Sequence, residues 1–488
     1  MRIPLVVMAL VLSGAILLAA CASPPSTTSG PPKTELALPT GQAAVPTSHP
    51  EKPIPTAMTE VPRADASLPL SAAGPWWVYQ DGEQLWVLNA DGSGRTELPL
   101  EPGLSLNQWA GAPRGGRVAM LLSAGIEGAA RLQIYSIPGS VVEADIEVLP
   151  GGQPAIDLDN PDMDLVTSYW AIEDMLSLAW SPDGTRLAFI GRFGEPTADL
   201  YLYDTEDGSI VRLTSGPSHA YRPIWSPDGV YILHPAVWSF GTGAGYNMAG
   251  VWAAAADGST ILDVDTGGLR SDFLFAGWTS PRTFISSDFG ANCSVFGIRS
   301  VDLESGGATF LWRDPYRDFA FDPAGGALVV VIDPGLVGVP ECDTTGALGA
   351  VFVAPDGASI SEITEEEAYE VEWSPVEQVF YLRTSTWMRV GTDGTILGSR
   401  ASTPCPSPDG GLWAYLQPRL AVLPAGPDQA DSSHTCERQR VEWAGDGQSI
   451  LLNVAGAAYV ASAPGFTPIL VGEFAAQSDE AQAAWIEP

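Results

Sequence analysis

Apolar and polar positions alternate in short runs along most of this chain, and the runs recur. The clearest unit opens on Leu178-Ala179-Trp180 and turns through Ser181-Pro182-Asp183-Gly184. It continues with Arg186-Leu187-Ala188-Phe189-Ile190, then Asp199-Leu200-Tyr201-Leu202-Tyr203-Asp204, then Ile210-Val211-Arg212-Leu213-Thr214. Trp225-Ser226-Pro227-Asp228-Gly229 starts the cycle again. Each run is rich in β-branched and aromatic residues and bounded by turn residues, so the unit predicts four strands. The turn has its own logic. Pro presets φ at the second position, Asp tolerates the third, and Gly closes the turn. Trp ends the preceding strand, where its large face can pack between sheets.

Looser copies begin at Trp109-Ala110-Gly111-Ala112-Pro113, Trp278-Thr279-Ser280-Pro281, Phe321-Asp322-Pro323 and Trp373-Ser374-Pro375. Others begin at Cys405-Pro406-Ser407-Pro408, Trp443-Ala444-Gly445-Asp446-Gly447 and Trp485-Ile486-Glu487-Pro488. One four-stranded unit cannot bury both of its faces, whereas units stacked radially into a closed ring can. Trp76-Trp77-Val78-Tyr79 reads as a second strand with no first, and Ala483-Ala484-Trp485-Ile486 as a first with no second. Joined, they complete one unit. The expected fold is therefore all-β, a β-propeller of four-stranded blades over residues 71–488. Eight blades are expected within a range of seven to nine, because the units near Cys405 and Trp443 are degenerate. The spacing from Trp109 to Trp180 is 71 residues against 45 from Trp180 to Trp225, which places an insertion at about 141–174.

The segment Leu200–Thr214 followed by Trp225–Gly229 resembles the PD40, or TolB-like, repeat of the WD40-type propellers. The resemblance implies a propeller of a kind used both for binding other envelope proteins and beside peptidase domains. It supplies no site residues to carry over.

The first 20 residues read as an export signal: Arg2, an apolar stretch from Ile3 to Leu18 broken by Pro4, then small residues. Leu18-Ala19-Ala20-Cys21 resembles the lipobox of bacterial lipoproteins, which implies cleavage before Cys21 and lipidation of its sulfur. Residues 21–70 then form a Pro/Ser/Thr-rich tether, semi-extended by its prolines. The expected location is the outer side of a bacterial membrane, with the lipid as the membrane contact.

Charge and cysteine content refine this picture. The chain has 58 acidic and 23 basic residues for a net charge of −35, and the excess lies wholly beyond residue 70. Such a surface repels phosphate backbones, so nucleic acid is not an expected partner. Four cysteines remain after Cys21: Cys293, Cys342, Cys405 and Cys436. An even number in an exported chain suggests two disulfides. Three connectivities are open, and Cys293–Cys342 with Cys405–Cys436 is favoured because each joins neighbouring repeats.

Chemistry-bearing motifs are sparse. No G-x-S-x-G elbow or P-loop occurs. Gly216-Pro217-Ser218-His219-Ala220 lacks the final Gly. Of the four histidines, His219 and His234 flank one repeat turn and read as ordinary loop histidines. Asp157, Asp159, Asp162 and Asp164 are weak candidates for a cation, since they lack the glycine and terminal glutamate of a calcium loop. A solvated acidic insertion is the simpler reading. No cofactor is expected. These features predict a monomeric binding or scaffold protein for an envelope protein, a peptide or a glycan. The competing expectation is a propeller hydrolase or lyase using carboxylates at the central channel.

Overall fold

A computed structural model describes residues 68–125, 128–151, 162–173, 176–240, 246–264, 273–288, 297–332, 349–375, 377–400, 405–409, 411–415, 421–424, 441–454, 457–473 and 482–488. The fold is a β-propeller. The described residues form nine antiparallel sheets, numbered here from the N-terminus. Nine is the upper end of the range that the repeats predict. Eight of the nine sheets have four or five strands, and sheet 8 has three, Cys405–Pro406, Leu412–Tyr415 and Ala421–Pro424.

Sheet 1 joins the two distant segments as their missing complements predict. Ala483–Ile486 pairs antiparallel with Trp76–Asp81, with Trp77 opposite Trp485 and Trp76 opposite Ile486. Alternation along the strand sends neighbouring side chains to opposite faces. Trp76 accordingly packs with sheet 2 through Val118 and Met120, while Trp77 packs with sheet 9 through Leu451 and Val460. Both indoles are fully buried, and each burial contributes about 2–3 kcal/mol. Comparable apolar clusters join sheets 2, 3 and 4, then 4 to 5, 5 to 6, 6 to 7 and 8 to 9.

The first strand of each sheet is innermost. First strands touch one another between sheets 1 and 2, 2 and 3, 3 and 4, 6 and 7, and 9 and 1. The turn after the first strand of sheets 3, 4 and 8 is built as its sequence suggests. Ser181 Oγ donates to Asp183 Oδ1 at 2.6 Å and accepts from the Arg186 N–H at 3.0 Å. Ser226 with Asp228 and Ser407 with Asp409 repeat this arrangement. Burial alone would raise the Asp183 carboxyl, but hydrogen bonds from Ser181 and Thr185 outweigh it and hold the group below its usual range. The tryptophan that ends the first strand in sheets 3, 4 and 9 staples sheets together. Trp180 Nε1 donates to the Ala110 carbonyl, Trp225 Nε1 to that of Ala179 and Trp443 Nε1 to that of Cys405, at 3.0, 2.8 and 3.2 Å. Gly184 is needed for a further reason. Its φ is +72°, and a Cβ there would lie 2.3 Å from the Arg114 carbonyl oxygen of the preceding sheet's turn.

The insertion is shorter than its spacing suggests. Val141–Leu149 is not inserted but is the fourth strand of sheet 2, paired with Ala130–Ser136. Beyond it lies an α-helix, Met163–Glu173, where the sequence pattern suggests only an acidic loop. Asp162 Oδ1 accepts the N–H groups of Asp164 and Leu165, so it caps the helix N-terminus. The helix buries Leu165, Tyr169, Ala171 and Ile172 and packs across sheets 2, 3 and 4.

Candidate functional site

A cavity of about 270 Å³ opens where the innermost strands of sheets 1, 2 and 3 begin, at the end opposite the Ser-Pro-Asp-Gly turns. Gln80, Asn107, Gln108, Trp109, Leu176 and Leu178 line it, with Gly82 and Gln482. Among the described residues the lining is amide and apolar and carries no charged side chain.

The amides are fixed by the helix and the adjoining strands. Asn107 Nδ2 donates to Glu173 Oε2 at 2.7 Å and to Ser123 Oγ at 3.0 Å. Gln108 Nε2 donates to the Glu173 carbonyl at 2.6 Å, and Gln108 Oε1 accepts the Ser177 N–H at 2.8 Å. Gln108 thereby satisfies a carbonyl that the helix C-terminus leaves unpaired. Gln80 Oε1 accepts from Trp109 Nε1 at 3.0 Å. The result is a rigid polar wall held in place before any ligand arrives.

Trp109 reaches this wall because of a two-residue offset. The sequence aligns it with Trp180, but the Ala112 N–H bonds to the Arg117 carbonyl as the Ser181 N–H bonds to that of Arg186. Gly111 is therefore the counterpart of Trp180, and Ile486 occupies the space beside it. Trp109 is the counterpart of Leu178, and both face the cavity.

The two buried histidines do not converge. His219 Nδ1 accepts the Ala198 N–H at 3.2 Å and lies 3.3 Å from Ser168 Oγ. That contact fixes the neutral ring with its proton on Nε2, which is 3.8 Å from Asp164 Oδ1. Burial lowers the His219 pKa; the Asp164 carboxylate opposes this and the Arg192 charge adds to it. Ser168, His219 and Asp164 do not make a nucleophilic relay. The Ser168 hydroxyl donates to the Asp164 carbonyl at 2.8 Å, as a helix back-bond, and the serine is fully buried. His234 stacks on Trp252 with ring centroids 6.1 Å apart and is held down to about 4 by burial.

The remaining sequence candidates are scattered. Asp162 caps the helix and Asp164 is exposed beside His219. Asp157, Asp159, Cys21, Cys293, Cys342 and Cys436 lie outside the described residues. Cys405 is buried in the cluster joining sheets 8 and 9. Among the described residues no three His, Cys, Asp or Glu side chains lie close enough to hold a metal. On the innermost strands, Asp318 is raised by burial and accepts the Val371 N–H of the next sheet at 2.8 Å. Glu370 pairs with Arg383 at 3.2 Å.

No family model matches the chain. A 54-residue stretch, 11% of the chain, is 48% identical to the uncharacterized peptidase YuxL of Bacillus subtilis (strain 168), covering 8% of that protein. A 132-residue stretch, 26% of the chain, is 30% identical to the uncharacterized protein Atu1656 of Agrobacterium fabrum, covering 38% of it. The chain thus spans well under half the length of either relative. Among solved structures, one titled as the crystal structure of the eukaryotic initiation factor superposes with a TM-score of 0.52 at 12% identity. It covers 85% of this chain and 98% of that one, a likeness of fold alone.

Proposed function

We propose that this chain is an exported lipoprotein whose propeller binds a peptide segment of another envelope protein at the channel mouth. The cavity carries the reading. Asn107 Oδ1 and the second Gln80 Nε2 hydrogen are not used in fixing these amides and suit a peptide backbone, and Leu176 and Leu178 offer walls for one apolar side chain. An uncharged lining suits a neutral segment. Hydrolysis or lysis at channel carboxylates is less well supported, because Asp318 and Glu370 are engaged by Val371 and Arg383. The membrane anchor at Cys21 and the bridges Cys293–Cys342 and Cys405–Cys436 belong to the same proposal.

A photo-crosslinking residue at position 176 tests the binding site in native envelopes, with position 210 as the control. Leu176 and Ile210 are both exposed, but Ile210 is on an outermost strand. Expected is a crosslinked peptide from position 176 alone; equal capture at both positions, or none, overturns the site. Labelling with radioactive palmitate, expected in the native chain and lost in Cys21→Ala, tests the anchor; label that persists in the variant overturns it.

A further inference from the structure

The helix Met163–Glu173 lies with much of its polarity turned inward. Beside its apolar core side chains it buries Thr167, Ser168 and Glu173. Its outward positions include Met163 and Val166, both half-buried, and Trp170, which is exposed. These three stand at i, i+3 and i+7, so they form one apolar stripe on one face. At about 1.5 Å per residue the stripe is roughly 10 Å long. A surface helix ordinarily turns such a stripe to the core and its polar side to water.

Hydrogen bonds to the polar side chains hold the helix in this orientation. Glu173 Oε2 accepts from Asn107 Nδ2 at 2.7 Å and from Ser123 Oγ at 3.0 Å, and Ser168 lies against His219. Rolling the helix to bury the stripe would break these contacts. Tryptophan exposure marks the same region. Of the 16 tryptophans, Trp170 and Trp238 are the exposed ones, at 38% and 47%. Trp238 belongs to Tyr231–Phe240, a strand that the helix packs against. Tryptophan is enriched among the residues that anchor protein contacts.

Backbone and charge together narrow what can cover the stripe. A helix bonds its backbone within itself, so it has no edge to which an extended chain could add a strand. An occupant has to satisfy its own backbone, as a second helix does when ridges pack into grooves. A second copy of this chain would bring a net charge of −35 against −35, and anionic lipid headgroups are repelled in the same way. Asp162 and Asp164 are exposed at the N-terminal end of the stripe, where their carboxylates favour a cation.

We propose that the outward face of this helix docks about two turns of an amphipathic helix from a partner protein, with Lys or Arg of that helix set against Asp162 and Asp164. Met163, Val166 and Trp170 take its apolar side chains. The proposal goes beyond the peptide reading of the cavity and does not depend on it, since none of these three residues lines the cavity.

The test uses the full chain and fluorescent peptides of about 18 residues, long enough to form helix alone. One is leucine and lysine in helical register. The second carries glutamate in place of lysine, and the third serine in place of leucine. Expected is at least about tenfold tighter binding of the leucine–lysine peptide than of either other. That advantage should be lost in Trp170→Gln and in Val166→Gln, which keep a good helix former at each position, and kept in Ile210→Gln on an outermost strand. If Trp170→Gln loses the native circular dichroism spectrum, Val166→Gln decides. Equal binding of the leucine–lysine and serine–lysine peptides, or a preference that survives both helix variants or is lost in Ile210→Gln, overturns the docking face. So does a doubled mass in solution, or binding to phosphatidylglycerol vesicles, that both helix variants abolish. Each of these failures leaves the cavity reading standing, because the crosslink at position 176 tests that reading separately.

Discussion

His234→Phe separates the cost of burying an imidazole from the other pH effects in this acidic protein. The ring is buried, stacks on Trp252, and leaves both nitrogens without a hydrogen bond. Burial lowers its pKa from 6.5 to about 4. A depressed histidine stabilises the fold fully above the unfolded pKa, and the contribution is lost as pH falls through the folded one. The window therefore runs from 6.5 down to about 4. At about 1.4 kcal/mol per pH unit, that gap amounts to roughly 3 kcal/mol. Phenylalanine keeps the ring and its stacking but binds no proton. It also removes an unpaired buried N–H, so the variant should be about 1 kcal/mol more stable near neutrality. Urea midpoints followed by tryptophan fluorescence, at about pH 7.5 and about pH 4.5, give the comparison. The many carboxylates titrate alike in both proteins, so the difference between the two curves isolates His234. Parallel curves would refute the reasoning, since the imidazole would then be charged or hydrated within the fold.

Gly184→Ala and Gly229→Ala share a turn type but not a neighbour. Gly229 has only Pro182 Cδ and the end of the Arg186 side chain near its absent Cβ, at 3.7 and 3.9 Å, so alanine there should cost about 1–2 kcal/mol from its left-handed φ alone; Gly184→Ala should cost distinctly more by denaturant midpoint, and equal costs would dismiss the inter-sheet contact. Asp199 is fully buried and binds Arg212 at 2.7 Å and Thr214 at 2.9 Å, so Asp199→Ala should cost about 3–5 kcal/mol in the same assay. Trp485→Ala removes the edge contact with Trp77 at 4.8 Å and should lower stability by about 3 kcal/mol, with hydrogen exchange rising first in residues 76–81.

Much of the fold is legible in the sequence because its punctuation is local. A Ser-Pro-Asp-Gly turn declares itself through four adjacent residues, and period-2 runs declare the strands. The joining of Trp76–Tyr79 with Ala483–Ile486 is readable because each segment lacks a complement. The site is far less legible. The helix Met163–Glu173 is apolar around much of its surface and has no strong amphipathic period, so it carries little signal against an acidic background. Trp109 misleads, since its two-residue offset appears only in the backbone bonds of Ala112. Gln108 and Asn107 look like ordinary polar residues until the helix carbonyl and carboxylate they bind are in place. The left-handed backbone of Leu176 leaves no trace in residue type.

Sheet 1 is assembled from segments that stand far apart along the chain, and this changes what a single backbone cut can do. In an open stack of sheets, a nick frees everything on one side of it. Here a protease that cleaves the exposed Asp207–Gly208 turn would leave two fragments still gripped twice: once across sheets 3 and 4, and once by the ladder joining Trp76–Tyr79 to Ala483–Ile486. The nicked protein should migrate as one particle in a native gel and as two bands once denatured. Loss of a surface turn to digestion would then cost the molecule far less than loss of a single strand.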